Sequence, residues 1–223
     1  MTAGRTTIWS AAGYDAWFDQ PWGRYAHAVE TAAVLAALRP VPGWRLLDAG
    51  CGTGRLLASM FDTGAHRIGL DRDPAMLEQA RMHTTAPLLL ADAGALPLGT
   101  ASLDAVVAVT LLEFVSDPAA VVAEMCRVTR PGGRVVIGAL NPKSPWGLAH
   151  RHRLRRPPWD GAEFLGRRQL QALARTYGPA TLHGVLFVPG PVPGLSRLGP
   201  LVESLGWLVS PLGAFQVLII ERR

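Results

Sequence analysis

Short apolar runs recur between residues 46 and 140, and nearly every one stops at a polar or acidic residue. Leu46 and Leu47 run into Asp48, residues 67–70 into Asp71, residues 86–91 into Asp92, and residues 103–109 into Thr110-Leu111-Leu112-Glu113. Apolar runs of this length, bounded by turn formers, read as buried strands. Helical segments lie around and between them. Residues 24–38 carry Tyr25, Ala28, Val29, Ala32, Leu35 and Leu38 at helical spacing and stop before Pro40. Asp73-Pro74 and Asp117-Pro118 each place an N-cap ahead of a proline in the first turn, the second opening a helix to Thr129. Pro131-Gly132-Gly133 turns into a strand over 134–140. A further helix covers 167–177 and ends at Gly178-Pro179, and residues 181–188 and 214–221 have strand patterning. Residues 141–161 show no clean period, 189–211 are rich in Gly and Pro, and no internal repeat is visible. Strands alternating with helices predict an α/β chain around a largely parallel sheet.

The densest chemistry lies in residues 46–54, L-L-D-A-G-C-G-T-G. Gly50, Gly52 and Gly54 alternate in a tight strand-to-helix turn, where the backbone needs positive φ or close approach to a ligand. The spacing is neither the dinucleotide G-x-G-x-x-G nor a P-loop. Asp48, two residues before the first glycine, suits a ligand bearing an ammonium group. Asp71, about 20 residues past the turn, is placed to accept from ribose hydroxyls. Asp92 ends the third strand, where it can accept from an adenine amino group.

These blocks resemble the class I S-adenosylmethionine (SAM) dependent methyltransferases, in the group that includes the ubiquinone/menaquinone methyltransferase-like (type 11) enzymes. The matching residues are 46–54, G-L-D-R-D-P-A-M-L (69–77), A-D-A-G-A-L-P-L (91–98), S-L-D-A-V-V-A (102–108) and R-P-G-G-R-V-V-I (130–137). The resemblance spans roughly residues 40 to 140, and the order of five blocks is more specific than any one. It implies a Rossmann-like, doubly wound seven-stranded sheet of order 3-2-1-4-5-7-6 with strand 7 antiparallel. It implies SAM as cofactor and S-adenosylhomocysteine (SAH) as product. Gly50, Cys51 and Gly52 would approach the methionyl part, and Asp71 would meet the ribose. Arg72 and Met76 would flank the adenine, Asp92 and Ala93 would take its edge, and Thr110 and Leu111 would line the pocket near the sulfonium. Tyr14 to Asp19 looks like the aromatic N-terminal segment that folds over the cofactor in many members.

Composition changes the picture little. The 223 residues, 49% hydrophobic, suffice for one domain with a sizeable core. The expected division is an N-terminal lid over 1–40, a cofactor-binding core over 41–140, and insertions at 141–165 and 189–211. Cys51 and Cys126 form neither a disulfide framework nor a metal spacing, so no metal is expected and a reducing cytoplasm is the default. The first residues carry no apolar signal segment, and no apolar run reaches membrane-spanning length. The net charge of +5 points to nucleic acid only weakly, because Lys143 is the sole lysine and the arginine bias fits genome composition. One basic cluster, Arg151 to Arg156, could meet RNA or an anionic membrane surface.

Methyl transfer from a sulfonium needs alignment above all, and a base where the acceptor keeps its proton. Glu113, after the fourth strand, is the candidate base. Trp17, Phe18, Trp22 and Trp146 are candidate substrate contacts in an aromatic lid suited to a small apolar or planar acceptor. Asn141 would place an amide at the acceptor end. The chain lacks N-P-P-[YFW] after the fourth strand, a Pro-Cys nucleophile, the acidic metal pattern of catechol-type enzymes and a multi-cysteine arsenite site. The leading expectation is methyl transfer to a small molecule. The alternatives are an RNA or quinone/lipid methyltransferase using Arg151 to Arg156, and a SAM-binding regulatory module without turnover.

Overall fold

A computed structural model describes residues 10–150, 152, 161–188, 203 and 206–223. The Arg151–Arg156 cluster, His152 apart, lies outside the described residues, as does most of 189–211. Helices α1 (Ala11–Trp17) and α2 (Pro21–Leu38) precede β1 (Arg45–Ala49), α3 (Arg55–Ser59), β2 (His66–Asp71), α4 (Pro74–Ala80), β3 (Leu88–Leu90) and β4 (Leu103–Val109). There follow α5 (Pro118–Val128), β5 (Thr129–Leu140), α6 (Pro145–His150), α7 (Arg167–Ala174), β6 (Ala180–Val185) and β7 (Phe215–Glu221).

The seven strands form one sheet of order β3-β2-β1-β4-β5-β7-β6. Strands β1 to β5 run parallel, and β7 lies antiparallel between β5 and β6. Side chains alternate between the two faces of each strand, and both faces are covered. Leu47, Ala49, Val106 and Ala108 face α5 and α7, in a core with Val121, Val122, Met125 and Leu170. Leu46, Ala105, Val107 and Val136 face α2 and α3, in a core with Val34, Leu38, Leu57 and Phe215. Burial on both faces explains why the strands read as continuous apolar runs. It also brings every parallel strand end to one edge, where the glycine turn and the acids collect.

Several boundaries differ from those predicted. β3 shrinks to Leu88–Leu90, the length over which it pairs with β2. β5 begins at Thr129, ahead of the Pro131–Gly133 turn, through a register shift opposite Leu103 and Ala105. β6 stops at Val185, because Leu186 takes a left-handed φ of 63°. The largest revision concerns α2. It starts at Pro21 and buries Gly23, Ala26, Val34, Ala37 and Leu38. Ala28 and Ala32, in the predicted stripe, are exposed. Alanine counts as apolar in a pattern but has little surface to bury, so the alanine-rich segment does not mark its own inner face. At 100° per residue, Glu30 projects from the middle of the buried stripe.

Candidate active site

β1 ends beneath a turn that its own backbone fastens. The N–H groups of Gly50 and Cys51 both donate to Leu70 O, at 2.7 and 2.9 Å, and Gly54 N–H donates to Cys51 O at 2.9 Å. Gly50 has a φ of 73°, and a Cβ there would stand 2.7 Å from Leu111 Cδ1. The position therefore requires glycine both for its conformation and for the approach of the β4 loop. The Cys51 side chain turns away from this opening. Its sulfur would lie 2.9 Å from a Cβ on Gly69, and Cys51 belongs to the apolar core. Any approach of Cys51 to a ligand at the turn is therefore through its backbone.

Two carboxylates stand beside the turn. Asp71 Oδ2 accepts from Gly52 N–H and Oδ1 from Asp73 N–H, each at 2.9 Å, which fixes the group with lone pairs to spare. Burial raises the Asp71 pKa against the pull of those backbone donors. Asp48 is buried, and burial together with the neighbouring Asp71 lifts its pKa to about 7. Two neighbouring acids with no cation between them among the described residues favour a ligand that brings a positive charge.

A cleft enclosing about 920 Å³, its open mouth included, lies over this edge. Tyr14, Gly50, Gly52, Asp71, Arg72, Met76, Asp92, Ala93, Thr110 and Leu111 all line it, and so does Phe114, which pattern reading did not single out. Thr110, at the end of β4, has a φ of 48°. A β-branched residue in that region costs on the order of 1–3 kcal/mol. The kink turns Leu111 onto Gly50, and Thr110 N–H is retained by Gly138 O at 2.8 Å.

Helix α1 closes one side of the cleft. The Tyr14 hydroxyl pairs with the Thr110 hydroxyl, and burial with nearby acids raises its pKa to about 12. Asp15 clasps the helix to the wall: Oδ1 accepts from Arg55 Nε at 2.6 Å, and Oδ2 lies 2.9 Å from His83 Nε2. Burial works against the charged form of Asp15, but hydrogen bonds from Arg55, His83 and Thr53 outweigh it and hold the pKa at about 2. Phe18 packs edge-on against both Tyr14 and Trp17, with the Arg55 guanidinium 5.1 Å above its ring. Phe18 therefore belongs to the inside of the lid.

The remaining predicted substrate contacts scatter. Trp22 stacks on Tyr25, and Trp146 stacks on His150. Asn141 is 1% exposed, and its amide is already spent. It donates to Pro211 O and Gly213 O and accepts from Lys143 N–H, tying the end of β5 to the segment before β7. That satisfaction leaves the amide no free donor for an acceptor molecule.

Glu113 is 1% exposed in a single 3₁₀ turn, Leu112–Phe114. Oε1 accepts from Leu140 N–H at 2.8 Å, while Oε2 has no partner among the described residues. Burial, partly offset by the backbone donors, raises its pKa to about 7. Glu30 and Asp15 escaped the sequence reading. Glu30 lies opposite the stripe predicted for α2, and Asp15 lies among the aromatics of α1.

The family model described as "Methyltransferase domain" matches residues 47–137. An uncharacterized protein of Mycobacterium tuberculosis is 36% identical over 193 residues, covering 84% of this chain and 64% of that protein. The chain thus spans less than two thirds of that relative's length. A Thermotoga maritima structure described as a "SAM-dependent methyltransferase, possible histamine N-methyltransferase" superposes with a TM-score of 0.76 at 26% identity, covering 95% of each chain. Phosphoethanolamine N-methyltransferase 2 of Haemonchus contortus, solved with SAM, shares the fold at a TM-score of 0.69 and 15% identity over 97% of this chain and 58% of that one.

Proposed function

The chain belongs to the class I SAM-dependent methyltransferases, and on that premise we propose that it methylates a small molecule whose accepting atom lies beside Glu113. The cleft fits the cofactor. Gly50 and Gly52 leave room for close approach, Asp71 offers oriented lone pairs for paired hydroxyls, and Asp48 offers a buried carboxylate for an ammonium group. Met76, Ala93, Leu111 and Phe114 supply apolar walls for a planar ring. When bound, the cofactor supplies a methyl group already activated by its sulfonium.

The protein's part is then to align, exclude water and manage a proton. Alignment alone is worth about 7–11 kcal/mol of barrier. Tyr14, through Thr110, and Asp15, through Arg55, hold α1 against the cleft and shed solvent from it. Glu113 carries this reading. A buried carboxyl with one oxygen fixed by Leu140 N–H and the other unpartnered is arranged to take a proton from an acceptor. Its pKa of about 7 suits a general base working near neutrality.

The test is calorimetric titration with SAM and SAH, followed by a screen of small molecules for transfer of labelled methyl. Glu113→Gln should cut turnover at least a hundredfold with SAH affinity within threefold of wild type. Equal turnover in the two proteins from pH 6 to 9 would remove Glu113 from the chemistry.

A further inference from the structure

We infer that Glu30 and Glu113 together form an acidic acceptor subsite that recognises a basic amine through its protonated nitrogen. This rests on the methyltransferase reading and names the substrate class.

Glu30 lies on the buried stripe of α2, between Ala26 and Val34, which are 2% and 0% exposed. Glu30 itself is half-buried. Among the described residues it makes no hydrogen bond, and the forces acting on it are burial and the charge of Glu113. It is also the strongest charged neighbour of Tyr14, which lines the cleft. Glu113 approaches from another element, between the cleft-lining Leu111 and Phe114, with Oε2 buried and unpartnered. Two carboxyl groups from different elements thus act on each other near the cleft wall, and among the described residues no arginine, lysine or histidine acts on either.

Such an arrangement is unfavourable until something enters it. A buried acceptor without a donor costs about 1–3 kcal/mol, more when charged. Two neighbouring carboxylates cannot both ionise readily. An ammonium group answers both defects, bringing a compensating charge and several N–H donors. A hydroxyl acceptor brings one donor and no charge. Either carboxylate can then take one ammonium proton, leaving a neutral amine and a carboxylic acid.

The pH behaviour follows with its sign. Burial, then Glu113, raises the Glu30 pKa to about 8, and that of Glu113 is about 7. Tyr14, Asp48 and Asp71, at the same strand ends, are acids with raised pKa values, while Arg72, which also lines the cleft, donates to Phe114 O at 3.4 Å. Ammonium binding should therefore strengthen as pH rises from 6 to 9, while ordinary primary amines keep their proton.

The experiment uses the full chain saturated with SAH. Phenethylamine, butylamine and ethanolamine are compared by calorimetry with phenethyl alcohol, butanol and ethylene glycol. At least one amine should bind tenfold or more tighter than its alcohol, with affinity rising between pH 6 and 9. Glu30→Gln should erase that preference and leave SAH affinity unchanged. Glu113→Gln, which keeps an acceptor for Leu140 N–H, gives an independent reading should the first variant fold poorly. Equal binding of amines and alcohols, or no binding of any amine while SAH binds, would overturn the subsite. So would a fall in SAH affinity in Glu30→Gln, which would give the carboxyl to the cofactor. Failure of wild type to bind SAH would instead strike the underlying methyltransferase reading.

Discussion

Glu113→Gln should make the ligand-free protein more stable at alkaline pH while impairing its chemistry. The substitution preserves shape and keeps an oxygen for Leu140 N–H, but removes the ionisable group. The folded protein raises this carboxyl from 4.5 to about 7, so it binds the proton more tightly than the unfolded chain does. Below pH 4.5 both states are protonated and the group contributes no difference. As pH climbs to 7 the unfolded chain ionises first, and wild type loses stability. At about 1.4 kcal/mol per pH unit the full loss is about 3 kcal/mol. Relief of Glu30, which shares the region with Glu113, acts in the same direction. Urea denaturation at pH 5 and pH 8.5 should show the variant gaining about 2–3 kcal/mol on wild type between the two conditions. The thermal midpoint at pH 8.5 should rise by about 5–10 °C in a chain of this size. Every other titrating group is common to both proteins. A stability difference that stays constant with pH would refute the claim that its surroundings raise the Glu113 pKa.

Other substitutions probe the remaining parts of the site. Asp71→Ala removes the acceptor for Gly52 N–H and Asp73 N–H and should weaken SAH binding at least tenfold by calorimetry. Gly50→Ala sets a Cβ 2.7 Å from Leu111 at a φ of 73° and should cost about 1–3 kcal/mol in denaturant. Adding Leu111→Ala should return part of that loss, and strict additivity would show that the contact is not the cause. Asp15→Asn strips the Arg55 clasp of its charge. It should lower stability by about 1–3 kcal/mol and speed SAH release in stopped-flow experiments, whereas unchanged release would detach α1 from the cofactor.

The strand ends and the glycine turn were legible in the sequence because their constraints are local. Gly50 needs positive φ whatever surrounds it, and Asp73 and Asp117 cap the helices they precede, accepting from Ala75 N–H and from Ala119 and Ala120 N–H. Sheet order followed from the resemblance, since no periodicity reveals that β7 slots between β5 and β6. What stayed hidden depends on orientation. Cys51 sits in the motif, yet its sulfur goes to the core. Asn141 looked like a ligand but is consumed by two carbonyls that lie some 70 residues away in the chain. Thr110 gives no sign in sequence of its left-handed backbone. Glu30 went unnoticed because α2 is apolar nearly all round, so the stripe of Tyr25, Ala28, Val29, Ala32, Leu35 and Leu38 did not mark the inner face that carries it.

The clasp on α1 and the acids beneath it answer to different ranges of pH. Asp15 stays ionised down to about pH 2, and Arg55, favoured in its charged form by Asp15, keeps its proton far into alkali. Glu113 and Glu30 exchange protons around 7 and 8. Across the range in which most enzymes are assayed, the charges of the fastening pair do not change while those of the acceptor end do. A rate profile recorded between pH 5 and 9 therefore reports the acids of the cleft, Asp48 at about 7 among them, without opening of the Asp15–Arg55 fastening. Buffer choice becomes a handle on the pocket that leaves its fastening alone.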